Sequence, residues 1–322
     1  MRFTFRTQSF ANQYCSSLNY SILTSAEIMK VIRAKSAGFC WGVERAIQVA
    51  RGEAKGGLRK VYTDGPLIHN NQMMEALSSE DIHEVGDYHS KDKLALEKSE
   101  SKESVVVVRA HGISPQRRDY LKSLGMPFRD GTCPDVGIIA GKVKVHADKG
   151  FDIVIFGDPE HPEVIGLLGY AKGQGHVVKN LEDIENLPTF KGGVAMVSQS
   201  TMFTHEFQEL SNRLAEDYKD LLIFDTICGA TKERQSDLVS LVKEGAEVIV
   251  VIGGKHSANT RKLAKLAAQQ GRPTFHIETV NDLDLDSLRK FETVGVTAGA
   301  STPEFIIRDV CSKLETLEPL IK

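Results

Sequence analysis

From residue 30 onward, short apolar runs rich in β-branched residues alternate with longer stretches whose apolar positions recur at helical spacing. The short runs predict strands over 30–33, 60–63, 104–109, 151–156, 193–197, 221–224, 247–252 and 293–297. The helical spacing covers 43–51, 71–78, 115–124, 138–149, 163–172, 233–244, 260–270 and 303–317. Regular β–α alternation predicts an α/β architecture with largely parallel sheets. The segment 90–104 is rich in lysine and glutamate and reads as a solvated helix or loop.

A longer period overlies this alternation. Cys40, Cys133 and Cys228 are separated by 93 and 95 residues, and each follows a strand-like run and opens a helix-like segment. The spacing divides the chain into units 41–133, 134–223 and 224–318, with 29–40 returning to complete the last. A thiol between a strand's carboxyl end and a helix's amino end faces the usual ligand crevice of an α/β layer. The helix dipole and free N–H groups there are expected to lower its pKa and favour the thiolate that metals bind. If three such units pack around an axis, the thiols converge and can hold an iron–sulfur cluster with one metal position left for substrate. In a single doubly wound sheet they would instead be spread along one edge. Structural zinc has less support, because C-x₂₋₄-C pairs are missing, and ferredoxin-type cysteine runs are absent too. Any one of the three, taken alone, has the commonest fate of free cysteine, a small buried hydrophobe.

The remaining strand ends carry polar groups: His69-Asn70, His111-Gly112, His161-Pro162-Glu163, Ser200-Thr201, Ser257-Ala258-Asn259 and Ser301. Hydroxyls, amides, imidazoles and helix N-termini suit phosphate oxygens, and Gly253-Gly254 would let backbone approach a bulky anion. Neither a Walker A pattern nor a G-x-G-x-x-G follows the first strand, so the expected ligand is a phosphate ester or diphosphate outside a standard nucleotide cradle. Glu163 is the single carboxylate of the set and, with His161 two residues before it, could donate or relay a proton. The structural alternatives are plain: Ser257 and Ser301 as helix caps, Glu163 as a first-turn acid complementing the helix dipole.

Composition narrows the setting. The 322 residues are 41% hydrophobic and 26% charged, with a net charge of −3. That balance makes no case for a nucleic-acid or membrane partner, and the longest apolar runs fall short of a bilayer span. Five cysteines are too few for a disulfide framework and fit an intracellular, cytoplasmic protein. Residues 1–28 have two arginines, many serines and no acid before Glu27, a composition similar to an organelle transit peptide. The favoured reading starts the folded chain at Met29, where MKVIRAK begins at once with a strand, which leaves 1–28 as an extension and gives Cys15 no role. Cys311, in the last predicted helix, reads as packing.

The motifs GFCWGVERAI, His69-Asn70, RAHGIS, GTCPDV, GDPEHPEV, SQST, DTICGAT, GGKHSANT and TAGASTPE together resemble the 4-hydroxy-3-methylbut-2-enyl diphosphate reductase family over about residues 29–318. The resemblance implies a trefoil of three pseudo-symmetric α/β units around one 4Fe–4S cluster per chain, held by Cys40, Cys133 and Cys228. It implies that His69, His111, Ser257, Asn259 and Ser301 hold the diphosphate of a small allylic substrate, with His161 nearby and Ala258 and Thr201 alongside. Ser200 stands where the family usually has threonine, and Glu163 would deliver protons to the leaving hydroxyl. The reaction implied is a two-electron, two-proton reductive dehydroxylation giving isopentenyl and dimethylallyl diphosphate, with a ferredoxin or flavodoxin as donor. Five positions depart from the family pattern: Ser200, Ala258 in place of a second serine, Lys232-Glu233 inside a polar run after the third cysteine, and Gly229 next to that cysteine. The rival readings are an iron–sulfur hydro-lyase, a non-catalytic cluster-bearing sensor, and a phosphate-ligand protein with zinc or no metal.

Overall fold

The computed structural model describes residues 28–57, 59–86 and 103–320. Its strands form three separate four-stranded sheets. The first sheet holds β2 (Lys60–Asp64), β3 (Ile82–Val85), β4 (Ser104–Val108) and β5 (Phe128–Asp130). The second holds β6 (Asp152–Phe156), β7 (Gly175–Val178), β8 (Val194–Ser198) and β9 (Leu221–Ile223). The third holds β10 (Val248–Ile252), β11 (Thr274–Ile277), β12 (Thr293–Ala298) and the chain's opening strand, β1 (Lys30–Arg33). The connecting helices are α1 (Trp41–Lys55), α2 (Asn71–Ser79), α3 (Pro115–Ser123), α4 (Pro134–Asp148), α5 (Pro162–Tyr170), α6 (Leu181–Glu185), α7 (Thr204–Asp217), α8 (Gly229–Lys243), α9 (Ala258–Gln269), α10 (Leu285–Leu288) and α11 (Glu304–Leu314).

All three sheets share one strand order: β3-β2-β4-β5, β7-β6-β8-β9 and β11-β10-β12-β1. Every pairing is parallel, with registers such as Val61↔Val105, Ile153↔Ala195, Val248↔Val294 and Val31↔Val294. The single continuous sheet is therefore excluded, and the three units form the trefoil that the family resemblance implies. In each sheet the chain runs outward on one side of its first strand and returns on the other. The crevice between first and third strands is thus a topological switch point, the place where open parallel sheets bind ligands.

Central strands read as unbroken apolar runs because both faces are covered: Val105 to Val108, Ile153 to Phe156 and Val248 to Ile252 are buried throughout. Their side chains feed one apolar cluster on each face of the first and second sheets and a merged cluster around the third. The predicted strand ranges omit β3, β5, β7 and β11, of which β5 alone was expected, as the strand-like run before Cys133. These are flanking strands of three or four residues with mixed burial, too short and too polar for a period-two signal. Of the segment read as a solvated helix or loop, 90–102 lie outside the described residues, while Ser104 opens β4. Residues 1–27 also lie outside them.

At the end of β2, Asp64 is buried and takes a two-pronged bond from Arg117 of α3, Nη2 to Oδ1 at 2.6 Å and Nε to Oδ2 at 3.0 Å. This pair anchors the helix that leaves the His111 loop. Cys311 packs, partly buried, against the apolar cluster of the third sheet.

Candidate functional site

The three cysteines occupy equivalent places. Cys40, Cys133 and Cys228 are the N-caps of α1, α4 and α8, and none uses its side chain as a cap. Each follows the fourth strand of its sheet. Each backbone N–H donates to a carbonyl in the loop after the third strand of the same sheet: Cys40 to Ala300 at 3.1 Å, Cys133 to Ala110 at 2.9 Å, Cys228 to Ser200 at 3.0 Å. This repeated stitch ties every cysteine to the loop that carries Ser301, His111 or Ser200. All three thiols border one pocket, which is also lined by His69, His111, His161, Glu163, Ser200, Thr201, Ser257, Ala258, Asn259 and Ser301. The three expected metal ligands, Glu163 and the expected substrate-binding residues therefore lie at one place, while Asn70 instead caps α2.

The donor set suits a sulfur-ligated metal group. The thiols belong to free cysteines. A Cβ on Gly42 would come within 2.4 Å of Cys133 Sγ, so glycine in the first turn of α1 is what admits that sulfur. One expectation is corrected here. The helix N-termini were expected to lower the thiol pKa values, yet burial pushes Cys133 up to about 11 against the backbone N–H groups of Asp135 and Val136. Burial likewise raises Cys228, despite Thr231 Oγ1 at 3.2 Å from its sulfur. At Cys133 and Cys228 desolvation outweighs the N–H groups of the helix start, and a bound cation would offset it.

Glu163 sits in the first turn of α5 and is 1% exposed. Its Oε1 accepts from the backbone N–H of Ser200 and its Oε2 from the Ser200 hydroxyl, both at 2.7 Å. Burial raises its pKa to about 6, with the two Ser200 donors and the nearby Lys262 charge opposing the rise. The carboxyl thus titrates close to neutral pH, where a proton donor must. Ser200 keeps the hydroxyl that threonine would supply in this pair.

His69, His111 and His161 gather with ring centroids 4.6–5.8 Å apart. Their nitrogens are close enough to one another to hold a metal ion, but the hydrogen bonding favours an anion. The Nδ1 of His161 accepts from the Glu163 backbone N–H at 3.2 Å. That leaves the imidazole proton on Nε2, so the ring offers a donor there rather than a lone pair. Burial drives the pKa of His161 down to about 3 and that of His111 well below the usual imidazole value. Both are neutral donors until an anion arrives. Opposite them, Ser257 caps α9 by accepting from Thr260 N–H, and Asn259 Nδ2 is buried without a partner. The Ser301 hydroxyl donates to the His69 carbonyl at 3.0 Å, which joins the third sheet's loop to the first's. A helix N-terminus, an unpartnered amide and the neutral imidazoles of His111 and His161 form a recess whose chemistry suits a phosphate.

One further expectation changes, and one departure from the family pattern falls outside the pocket. Gly253 and Gly254 do not open backbone to a ligand. A Cβ on Gly253 would meet Thr302 Oγ1 at 2.6 Å, and one on Gly254 would meet the His69 carbonyl at 3.1 Å, so the pair serves protein packing. Glu233 is exposed, Lys232 is paired with Asp225 at 2.7 Å, and neither lines the pocket. Sequence reasoning missed Gly42 and Lys262. Lys262 of α9 is half-buried, its Nζ donates to the Thr201 carbonyl at 3.3 Å and touches Met202 Sδ, and burial lowers its pKa to about 8. No local pattern marks either residue, because each acts on a segment 60 or more positions away.

Comparison with known proteins agrees with this geometry. Residues 31–315 match the family described as LytB protein. The chain is 61% identical over 290 residues to 4-hydroxy-3-methylbut-2-enyl diphosphate reductase of Opitutus terrae, covering 90% of this chain and 100% of that one. It is 39% identical over 292 residues to the protein of that name from Alkaliphilus oremlandii, covering 90% and 100%. The fold is similar to that of the Plasmodium falciparum E-1-hydroxy-2-methyl-but-2-enyl-4-diphosphate reductase, with a TM-score of 0.81 at 26% identity over 89% of this chain and 88% of that one. A second solved structure, described as the terminal enzyme of the non-mevalonate pathway, aligns with a TM-score of 0.65 at 35% identity over 90% and 100%.

Proposed function

The chain belongs to the LytB family, and we propose from that membership and its pocket that it is an oxidoreductase acting on 4-hydroxy-3-methylbut-2-enyl diphosphate. The reaction replaces an allylic C–O bond with C–H: two electrons and two protons enter, water leaves, and isopentenyl and dimethylallyl diphosphate are the products. The observation that carries the reading is the convergence of three single thiols, three imidazoles and one buried carboxyl on one pocket.

Cys40, Cys133 and Cys228 would hold a 4Fe–4S cluster, which when bound supplies electrons and Lewis acidity. His69 and His111, the amino end of α9 with Ser257 and Asn259, and Ser301 bind the diphosphate. His161 contributes its Nε2–H beside them. Ala258 lines the same recess without the hydroxyl a serine would add. Glu163, protonated, gives its proton to the departing hydroxyl so that water rather than hydroxide leaves. Ser200 holds both carboxyl oxygens and turns the acid toward the pocket, with Thr201 next to it. An anionic substrate beside Glu163 opposes its ionisation and raises the protonated fraction further. A ferredoxin or flavodoxin is the proposed electron donor, since the sequence carries no nicotinamide or flavin motif.

The test is an anaerobic assay with the hydroxylated diphosphate and a low-potential donor. Brown protein with about four irons per chain and turnover that requires the donor are the expected results. Water loss without reductant would point to the hydro-lyase. A cluster that substrate does not oxidise would point to the sensor, and a colourless protein would exclude both the cluster and the reductase.

A further inference from the structure

Arg234 lies on α8, two turns after Cys228, and is only 3% exposed. Its Nη1 donates to the Ala230 carbonyl one turn back at 2.8 Å. Its Nη2 donates to the carbonyl of Gly38, two residues before Cys40 and 196 positions away along the chain. One guanidinium thus ties the helix capped by Cys228 to the loop that carries Cys40. The third donor, Nε, is buried with no hydrogen-bond partner. An enclosed cation with an open N–H is costly unless something negative completes it. Burial lowers the pKa of Arg234, and the groups whose negative charge would oppose that are, in order, Cys40, Cys228, Glu233 and Asp237. The junction does not depend on the arginine alone, because Ser36 N–H also donates to Asp237 at 2.7 Å.

We infer that Arg234 is a positioning residue and built-in counter-charge for the sulfur-ligated group: it fixes two of the three thiol-bearing elements and offers its unpartnered N–H and positive charge to their sulfurs, raising the reduction potential. This rests on the cluster reading above. Net charge and hydrogen bonds to sulfur set iron–sulfur potentials. A fixed cation favours the reduced, more negative cluster, and losing it moves the midpoint to more negative values.

The experiment compares the anaerobically purified parent chain with Arg234→Lys and Arg234→Gln by dithionite titration followed by electron paramagnetic resonance, with iron counted in each. A parent chain without a cluster would sink the cluster reading itself and is recognised before any variant is compared. With a cluster in the parent, Arg234→Gln is expected to shift the midpoint negative by at least a tenfold change in a one-electron equilibrium, 59 mV. Arg234→Lys, which keeps the charge and loses the fork, is expected to shift it less. Equal midpoints in all three proteins would overturn the inference. Should Arg234→Gln fail to retain iron, the metal-free proteins decide. Iodoacetamide labelling mapped by mass spectrometry is then expected to slow at Cys40 and Cys228 relative to Cys133 of the same molecule, since the arginine's two hydrogen bonds go to the helix of Cys228 and the loop of Cys40. An unchanged ratio would overturn it equally.

Discussion

At Glu163, stability and chemistry pull in opposite directions. Burial raises its pKa from 4.5 to about 6. A buried acid whose folded pKa lies above its unfolded value favours the fold when protonated, below pH 4.5. That advantage is lost as pH rises through 6, a change of about 2 kcal/mol. Glu163→Gln has no such dependence, so its melting temperature should gain on the parent's between pH 4.5 and pH 8, while kcat falls about 10²–10⁴-fold. Melting curves at both pH values and a steady-state assay check the pair of outcomes, and full turnover in the variant would end the proton-donor assignment. Ser200→Ala removes the hydroxyl that stabilises the carboxylate. The Glu163 pKa then rises, and because the protonated form is the active one, the alkaline limb of kcat/KM should move to higher pH. Ser200→Thr, which keeps a hydroxyl, should leave that limb in place.

The element that repeats is a short flanking strand, a cysteine and a helix. The cysteine leaves its helix without a side-chain cap, a feature that Ser or Asp would supply at a gain of about 1 kcal/mol. The sulfur is kept free for something else. Gly42 shows how tightly this is fitted, since its hydrogen faces Cys133 Sγ from the first turn of α1. Gly42→Ala should fold, because alanine suits a helix better than glycine, yet displace the Cys133 sulfur. Iron content after reconstitution should drop, while far-ultraviolet circular dichroism stays as in the parent; full iron loading would refute the fit argued for Gly42. The cysteine spacing and strand–helix context made these elements legible in the sequence. The glycine was visible inside GFCWGVERAI, but its purpose was not, because the sulfur it clears belongs to a residue 91 positions later.

Across the whole molecule, the pocket belongs to no single sheet. The first sheet brings His69 and His111, the second His161, Glu163 and Ser200, the third Ser257, Asn259 and Ser301. Cross-links hold these loops in register, among them Ser301 to the His69 carbonyl and Lys262 to the Thr201 carbonyl. Lys262 also lies close enough to Glu163 to lower its pKa. Lys262→Met, similar in length but neutral, should lower kcat and move the alkaline limb upward, as Ser200→Ala does, through the charge rather than the hydroxyl. A pH profile identical to the parent's would show that the lysine only packs. Because burial lowers the pKa of Lys262 to about 8, the parent should begin to lose this support above that pH.

Local order along the chain determined the α/β alternation, the places of the three thiols and the identity of the polar groups at the strand ends. Each of these depends on residue type and spacing within one element. Packing decided the rest. Flanking strands such as β7 and β11 exist because a neighbouring strand offers them hydrogen bonds, a partner that no window of sequence contains. The pKa values of Cys133 and Cys228 rise instead of falling because depth, not helix position, governs solvation. Lys262 and Arg234 matter through carbonyls 61 and 196 positions away, and such distances close only when the three sheets fold against one another.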